Sequence, residues 1–271
     1  MTHRGDEFLS FRRVGAMILR YGYVIRRSWP RLIELAYWPT MSMILWGFIT
    51  QFFTTHSSWV ATAGGILIGA VLLWDTLFRS ELGVSVSFLE EMWSRNLAAL
   101  FVSPLRAHEF VLALIAMSTI RTVIAMAPAM LLAIPLYAYN IFDLGLPLVA
   151  FFANLLVMGW SVGLLVSALI LRWGLGAESL AWLTIFAVAP LSGIYYPIST
   201  LPVWLQPVSW ALPSSYVFEG MRGVLIDHHF DFGLFAGAVA LNLLYLTIAG
   251  AVFLHTVHVA RREGLLMQQG E

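Results

Sequence analysis

The sequence contains no cysteine and no lysine. Without cysteine there is no disulfide, no thiolate zinc site and no cysteine nucleophile. Without lysine there is no P-loop, because G-x-x-x-x-G-K-[ST] sets a lysine against the phosphates. If ATP drives this protein, another chain must bind it. Charge is scarce as well: 11% of the residues are charged, against roughly 25% in soluble domains. Apolar residues make up 60% of the 271 positions, and the mean hydropathy is +0.82. These values describe an integral membrane protein with no room for a soluble catalytic domain. The net charge of zero points to no class of partner. Charged residues run through the first thirty positions, so no secretory signal peptide is expected.

What is present is long apolar runs. A bilayer core about 30 Å thick needs roughly 20 residues of helix. Six stretches qualify: 32–54, 59–79, 110–138, 144–171, 177–196 and 231–258. The third carries Arg121 and two prolines, Pro128 and Pro135, that should kink it. Arginines give the orientation. Seven of them, from Arg4 to Arg31, precede the first span. Arg79, Arg95 and Arg106 flank the second link, Arg172 follows span four, and Arg261 and Arg262 follow span six. All fall on one side if both termini are cytoplasmic, which predicts a multi-pass protein of the cell (inner) membrane. Residues 1–31 then form a cytoplasmic arm with an amphipathic helix, and 32–271 the six-span domain. On a helical wheel Phe11, Val14, Ile18, Tyr21 and Ile25 make one stripe, with Arg12, Arg13, Arg20 and Arg27 opposite. That pattern predicts an interfacial helix on the anionic leaflet.

Two links stand out. The cytoplasmic one reads SELGVSVSFLEEMWSRNLAALFVSPLRAHE over 80–109. Phe88, Leu89, Met92, Trp93 and Leu97 suggest an amphipathic helix with Glu90, Glu91 and Arg95 exposed, ended by Ser103-Pro104. Such a helix is a docking element. The outer one, 197–230, is apolar yet broken by Pro197, Pro202, Pro207 and Pro213. Pro202 and Pro213 read as helix starts, with Thr200 and Ser214-Ser215 as nearby caps, giving helices at about 202–211 and 215–226. A re-entrant pair suits a broken segment at membrane depth, and it would plug or gate a path. Tyr195, Tyr196, Trp204, Trp210 and Tyr216 suit the interface.

These residues resemble the permease (membrane-spanning) subunit of type-2 ATP-binding-cassette exporters. The family pattern S-G-x-x-Y-P-x-x-x-L-P-x-W-L-Q, then P, then E-x-x-R, is met by Ser192, Gly193, Tyr196, Pro197, Leu201, Pro202, Trp204, Leu205, Gln206, Pro213, Glu219 and Arg222. The S-P-L run and later glutamate of the cytoplasmic link are met by Ser103, Pro104, Leu105 and Glu109. The sequence departs from the family at Arg95-Asn96, where Gly-Thr is frequent, and at Ala113, where lysine is common. The resemblance implies an all-helical membrane protein and a homodimer of permeases paired with two separate ATPase subunits. It implies a coupling helix at about 88–104 seated in the ATPase, and a substrate path at the dimer interface lined by spans one, two and five. Alternating access would move an amphipathic substrate (lipid, glycolipid, polysaccharide or drug) outward. The chain itself would hold no cofactor; ATP and Mg would sit in the partner ATPase.

Charge inside the membrane is costly. Asp75 and Arg79 stand at i,i+4 and suit a structural pair near the inner leaflet, with a substrate or gating role as the alternative. Arg121 suits either a carboxylate of a neighbouring span or an anionic headgroup. Glu219 and Arg222, at i,i+3, suit packing or gating equally. Glu178, near Arg172, reads as interfacial. Gly159-Trp160-Ser161-Val162-Gly163 matches the nucleophile elbow, but lies mid-span rather than at a strand-to-helix turn, so close helix approach is the better reading. The pairs His255/His258 and His228/His229 lack a third metal ligand. Two rival functions remain: an intramembrane lipid-modifying or proteolytic enzyme, and a non-transporting scaffold with the permease fold.

Overall fold

The computed structural model describes the backbone of residues 9–56 and 58–263, and the side chains of all of these except 53–65 and 101. Arg4, the two chain ends and the Gly65 surroundings lie outside the described residues. Every regular element among those described is helical. In chain order they are α1 (Phe11–Arg27), α2 (Trp29–His56), α3 (Ser58–Trp93), α4 (Leu97–Val102), α5 (Ala107–Tyr137), α6 (Leu146–Trp173), α7 (Leu180–Val188), α8 (Gln206–Trp210), α9 (Pro213–Asp227) and α10 (Phe232–Glu263). Helices are the answer an apolar chain must give in lipid, since each satisfies its own backbone internally.

Four of the described helices are long and apolar enough to cross a membrane: α2 over Trp29–Phe52, α5, α6 and α10. The expected stretch 59–79 lies inside α3, which continues to Trp93. The expected stretch 177–196 is not one helix. It is a 3-10 turn at Leu175–Ala177, the nine-residue α7 and a second 3-10 turn at Ala189–Leu191. Pro190 sits in that second turn, where it has no N–H to continue an α-helix.

Helix α6 is the centre of the bundle and packs on α3, α10 and α9; α3 in turn packs on α2 and α5. The α3–α6 contact depends on two glycines. A Cβ at Gly159 would lie 2.6 Å from the Ser80 Cβ, and one at Gly163 would lie 2.8 Å from the Glu81 carbonyl oxygen. The apparent nucleophile elbow is therefore a seat for α3. Its Ser161 hydroxyl is buried and donates to the Val157 carbonyl at 2.9 Å.

The core divides by depth. At one end Phe88, Phe110 and Phe253 meet under α1, which contributes Val14, Met17, Tyr21 and Ile25. At the other, Met43, Leu72, Phe151 and Phe218 pack beneath α9. Between α6 and α10, the Asn242 amide donates to the Asn154 backbone oxygen (3.0 Å) and side-chain oxygen (2.9 Å).

Candidate functional site

Helix α1 is not a free interfacial stripe. Val14, Met17, Tyr21 and Ile25 face the bundle, and Phe11, expected on that stripe, is exposed. Arg13 and Arg20, expected opposite the stripe, flank its buried side and turn inward. Arg13 clasps the buried Glu109 of α5 through Nε (2.8 Å) and Nη2 (2.6 Å). The same carboxylate accepts the Ser10 amide at 2.7 Å and the Arg106 amide at 3.0 Å. Arg20 meets Glu91 of α3 at 2.8 Å, and the Asn96 amide nitrogen donates to Glu91 at 2.9 Å. Burial, reinforced by the Glu91 carboxylate, raises the Tyr21 phenol above its usual range.

Glu90 completes the cluster. It takes Arg31 of α2 at 3.2 Å and Arg121 of α5 at 2.8 Å. The Arg121 side chain is only 8% exposed. Its partner is thus the last turns of α3, and the cluster ties α1, α2 and α5 to that end of α3.

The expected docking face is corrected in part. Glu91 is 1% exposed, and Phe88, Leu89 and Leu97 are core residues; Met92 packs against that core. The physical reason is that α1 and the end of α10 cover the face a bare amphipathic helix would present. The amphipathic helix is also interrupted. α3 stops at Trp93, and Arg95 adopts φ +57°, with the Asn96 amide donating back to the Glu91 carbonyl at 3.0 Å. That is a left-handed helix stop of the kind glycine usually fills. Helix α4 then ends at Val102, and Ser103 and Pro104 are exposed. The surface that projects is Trp93–Arg95 with Val102 (89% exposed), Ser103 and Pro104.

At the opposite end the sequence motif resolves into one hydrogen-bonded unit. Gly193 turns the chain at φ +66°, and Pro197 leaves the preceding carbonyls without helical partners. Arg222 of α9 donates to the carbonyls of Gly193, of Ile194 at 3.3 Å and of Tyr196 at 3.0 Å. Glu219 accepts the Ile198 amide at 2.7 Å and pairs with Arg222 at 3.3 Å. The Tyr196 hydroxyl donates to the Pro190 carbonyl at 2.6 Å. Ser192 and Ser214 share a hydrogen bond of 2.8 Å, and the Ser209 and Ser215 hydroxyls both donate to the Leu191 carbonyl.

Pro213 begins α9 as expected, but α8 starts at Gln206 rather than Pro202, and no side chain caps either helix. Ser214 and Ser215, expected as caps, are buried inside α9. Pro202 accepts the Leu205 amide in a turn, and Trp204 projects with 74% exposure. Tyr195 stacks on Trp46 of α2 at 4.7 Å.

Asp75 and Arg79 lie on one face of α3 without a contact ion pair. The Arg79 guanidinium is over the Phe78 ring at 5.4 Å, and Ser42 hydrogen-bonds Asp75. Sequence reading missed Glu81, fully buried two residues beyond Arg79, whose Oε1 accepts the Ser85 hydroxyl at 2.6 Å. Its i,i+4 serine was the available signal. No group of three or more His, Asp or Glu among the described residues could hold a metal ion.

No curated protein matches the chain. The sequence profile of the ABC-2 type transporter family matches residues 21–226. That match runs from within α1, through the α3–α5 tip, to the last turn of α9 and so includes the Arg222-bonded turn. This multi-pass chain belongs to the ABC-2 type transporter family, the membrane component of ABC transporters.

Proposed function

We propose that the chain is the permease subunit of an ATP-driven exporter, working as a homodimer with two copies of a separate ATPase. In this reading it crosses the cell membrane six times with both termini cytoplasmic, α3 and the α7 region supplying the second and fifth crossings. The ATPase seats the tip Trp93–Pro104, and ATP with Mg is bound and hydrolysed there, not in this chain. The observation that supports this is mechanical. The tip is exposed, yet its base is fixed by the Glu109, Glu91 and Glu90 ion pairs to α1, α2 and α5. A push on such a tip is delivered to several long helices rather than dissipated in a loop. The turn held by Arg222, with α8 and α9, acts as a re-entrant outer gate that moves as one piece. The cargo is an amphipathic molecule carried outward by alternating access.

The test is purification of the tagged chain from its native membrane in mild detergent, with stoichiometry read by mass spectrometry. The expected result is an ATPase subunit in equal amount, with recovery reduced at least several-fold by Trp93→Ala combined with Val102→Ala. Both side chains project, so the double variant leaves the fold intact. Absence of an ATPase, even after crosslinking through the tip, would overturn the reading.

A further inference from the structure

Between α1, α2, α3, α5 and α7 lies an open cavity of about 320 Å³. Its charged lining is Arg31, Arg79, Arg121, Glu34 and Glu90, three cations against two anions. Glu90 already serves Arg31 and one Nη of Arg121. The Nε atoms of Arg79 and Arg121 are buried and donate to nothing within the protein. Arg121 is more than nine-tenths buried, so its free donor is not answered by bulk water. A buried guanidinium donor with no acceptor in the protein leaves a place for one from outside, because such donors almost always find partners.

The remaining lining is apolar. Leu35, Leu82 and Val86 form walls, and Trp93 and Trp182 stand half-exposed at the rim. From Trp182 an aromatic track continues: Phe78 lies 6.0 Å from the Trp182 ring and 5.9 Å from Phe186, and Phe186 and Leu183 face outward. A free inorganic ion would use the arginines and leave this track idle. An anion carrying an alkyl chain would use both.

We infer that this cavity binds the phosphate headgroup of an amphiphile, with Arg79 and Arg121 on the phosphate oxygens and the chain lying along Trp182 and Phe186. Two guanidiniums with free Nε donors match the several acceptor oxygens of a phosphate better than the single pair of a carboxylate. The inference deepens the exporter reading and rests on it for its biological meaning, since it gives the amphipathic cargo a headgroup and a place of entry. Arg121 here is a ligand-binding residue, while Glu90 positions it.

The test is equilibrium binding of radiolabelled dodecyl phosphate to the full-length chain in dodecyl maltoside micelles, with empty micelles as background. The neutral amphiphile is thus present in excess throughout. The expected result is saturable binding of one molecule per chain that millimolar inorganic phosphate does not displace. Arg79→Gln should weaken it at least tenfold. Val86→Trp, which fills the cavity without changing a charge, should do the same, and the exposed Arg26→Gln should not. Displacement by inorganic phosphate at equal affinity would overturn the amphiphile assignment. So would absence of saturable binding, or binding indifferent to Val86→Trp. An ATPase that co-purifies with a chain unable to bind dodecyl phosphate sinks the pocket alone; binding without a co-purifying ATPase sinks the exporter reading alone.

Discussion

Replacing Glu109 with alanine should release α1 from the bundle. The carboxylate is buried and accepts four hydrogen bonds, two from Arg13 and one each from the Ser10 and Arg106 amides. Breaking a fully buried ion pair costs about 3–5 kcal/mol, because the abandoned charge stays in the interior. Arg13 is 24% exposed and can swing toward water, so its contribution is discounted toward that of a surface pair. The two amides then dominate. We expect a loss of about 2–3 kcal/mol, localised in α1. That corresponds to about a 30- to 150-fold increase in the population with α1 detached. Absence of native cysteine supplies the assay, since any introduced thiol is the only one. Met17 is buried on the inner face of α1. In a Met17→Cys background, maleimide labelling should accelerate by that factor when Glu109→Ala is added, because the rate follows the open population. Arg13→Gln added to Glu109→Ala should change little further, since the two groups act as a unit. Labelling that stays within twofold of the parent would mean that apolar packing alone seats α1, and the ion-pair account would be wrong.

Gly163→Val should destabilise the bundle by about 3 kcal/mol or more, because its side chain would collide with the α3 backbone, whereas Gly15→Ala in α1 meets no atom within 4 Å and should be neutral; thermal midpoints in detergent compare them. Arg222→Lys keeps the charge but cannot present a planar fork to three carbonyls, and should cost about 1–3 kcal/mol locally. Hydrogen exchange of the amides of residues 193–201 should then quicken by about tenfold or more, and unchanged protection would remove Arg222 as the staple. Arg95→Gly should relieve roughly 1 kcal/mol of left-handed strain and raise the midpoint slightly; a lower midpoint would show that the Arg95 side chain has a role that outweighs its backbone.

Long elements were legible because lipid enforces one period and one length. The stretches 144–171 and 231–258 correspond to α6 and α10 within a few residues. The stretch 177–196 is apolar throughout but is divided into shorter helical pieces, because Pro190 has no N–H for an α-helical bond, which hydropathy registers only weakly. The stop of α3 at Trp93 was not legible, because Arg95 is a poor left-handed residue and the Glu91–Asn96 contacts hold it there. At the other end, the motif residues were all visible as letters, but their connection was not. Glu219 and Arg222 look like a pair on one helix, and most of their bonds instead go to a turn some twenty to thirty residues earlier.

The charged cluster was illegible for a related reason. On a helical wheel Arg13 and Arg20 lie nearer the edge of the apolar stripe than Arg12 and Arg27 do, so they can turn either way. Glu109, Glu91 and Glu90 decide between them, and they come from segments some sixty to one hundred residues away. Long arginines can bury their stems while keeping the guanidinium on a carboxylate, which a two-colour wheel cannot express. The same property explains why this chain uses arginine throughout. Three of the cationic anchors have two or more acceptors arranged in space: Arg13 on both Glu109 oxygens, Arg20 on both Glu91 oxygens, Arg222 on three carbonyls. An ammonium satisfies such forked sites poorly. The absence of lysine therefore excludes a phosphate loop and also marks a scaffold in which cations fix helices by geometry as much as by charge. Among the described residues Arg79 and Arg121 are the arginines with buried Nε donors left over, and both line the cavity, which is what points from structure toward a ligand.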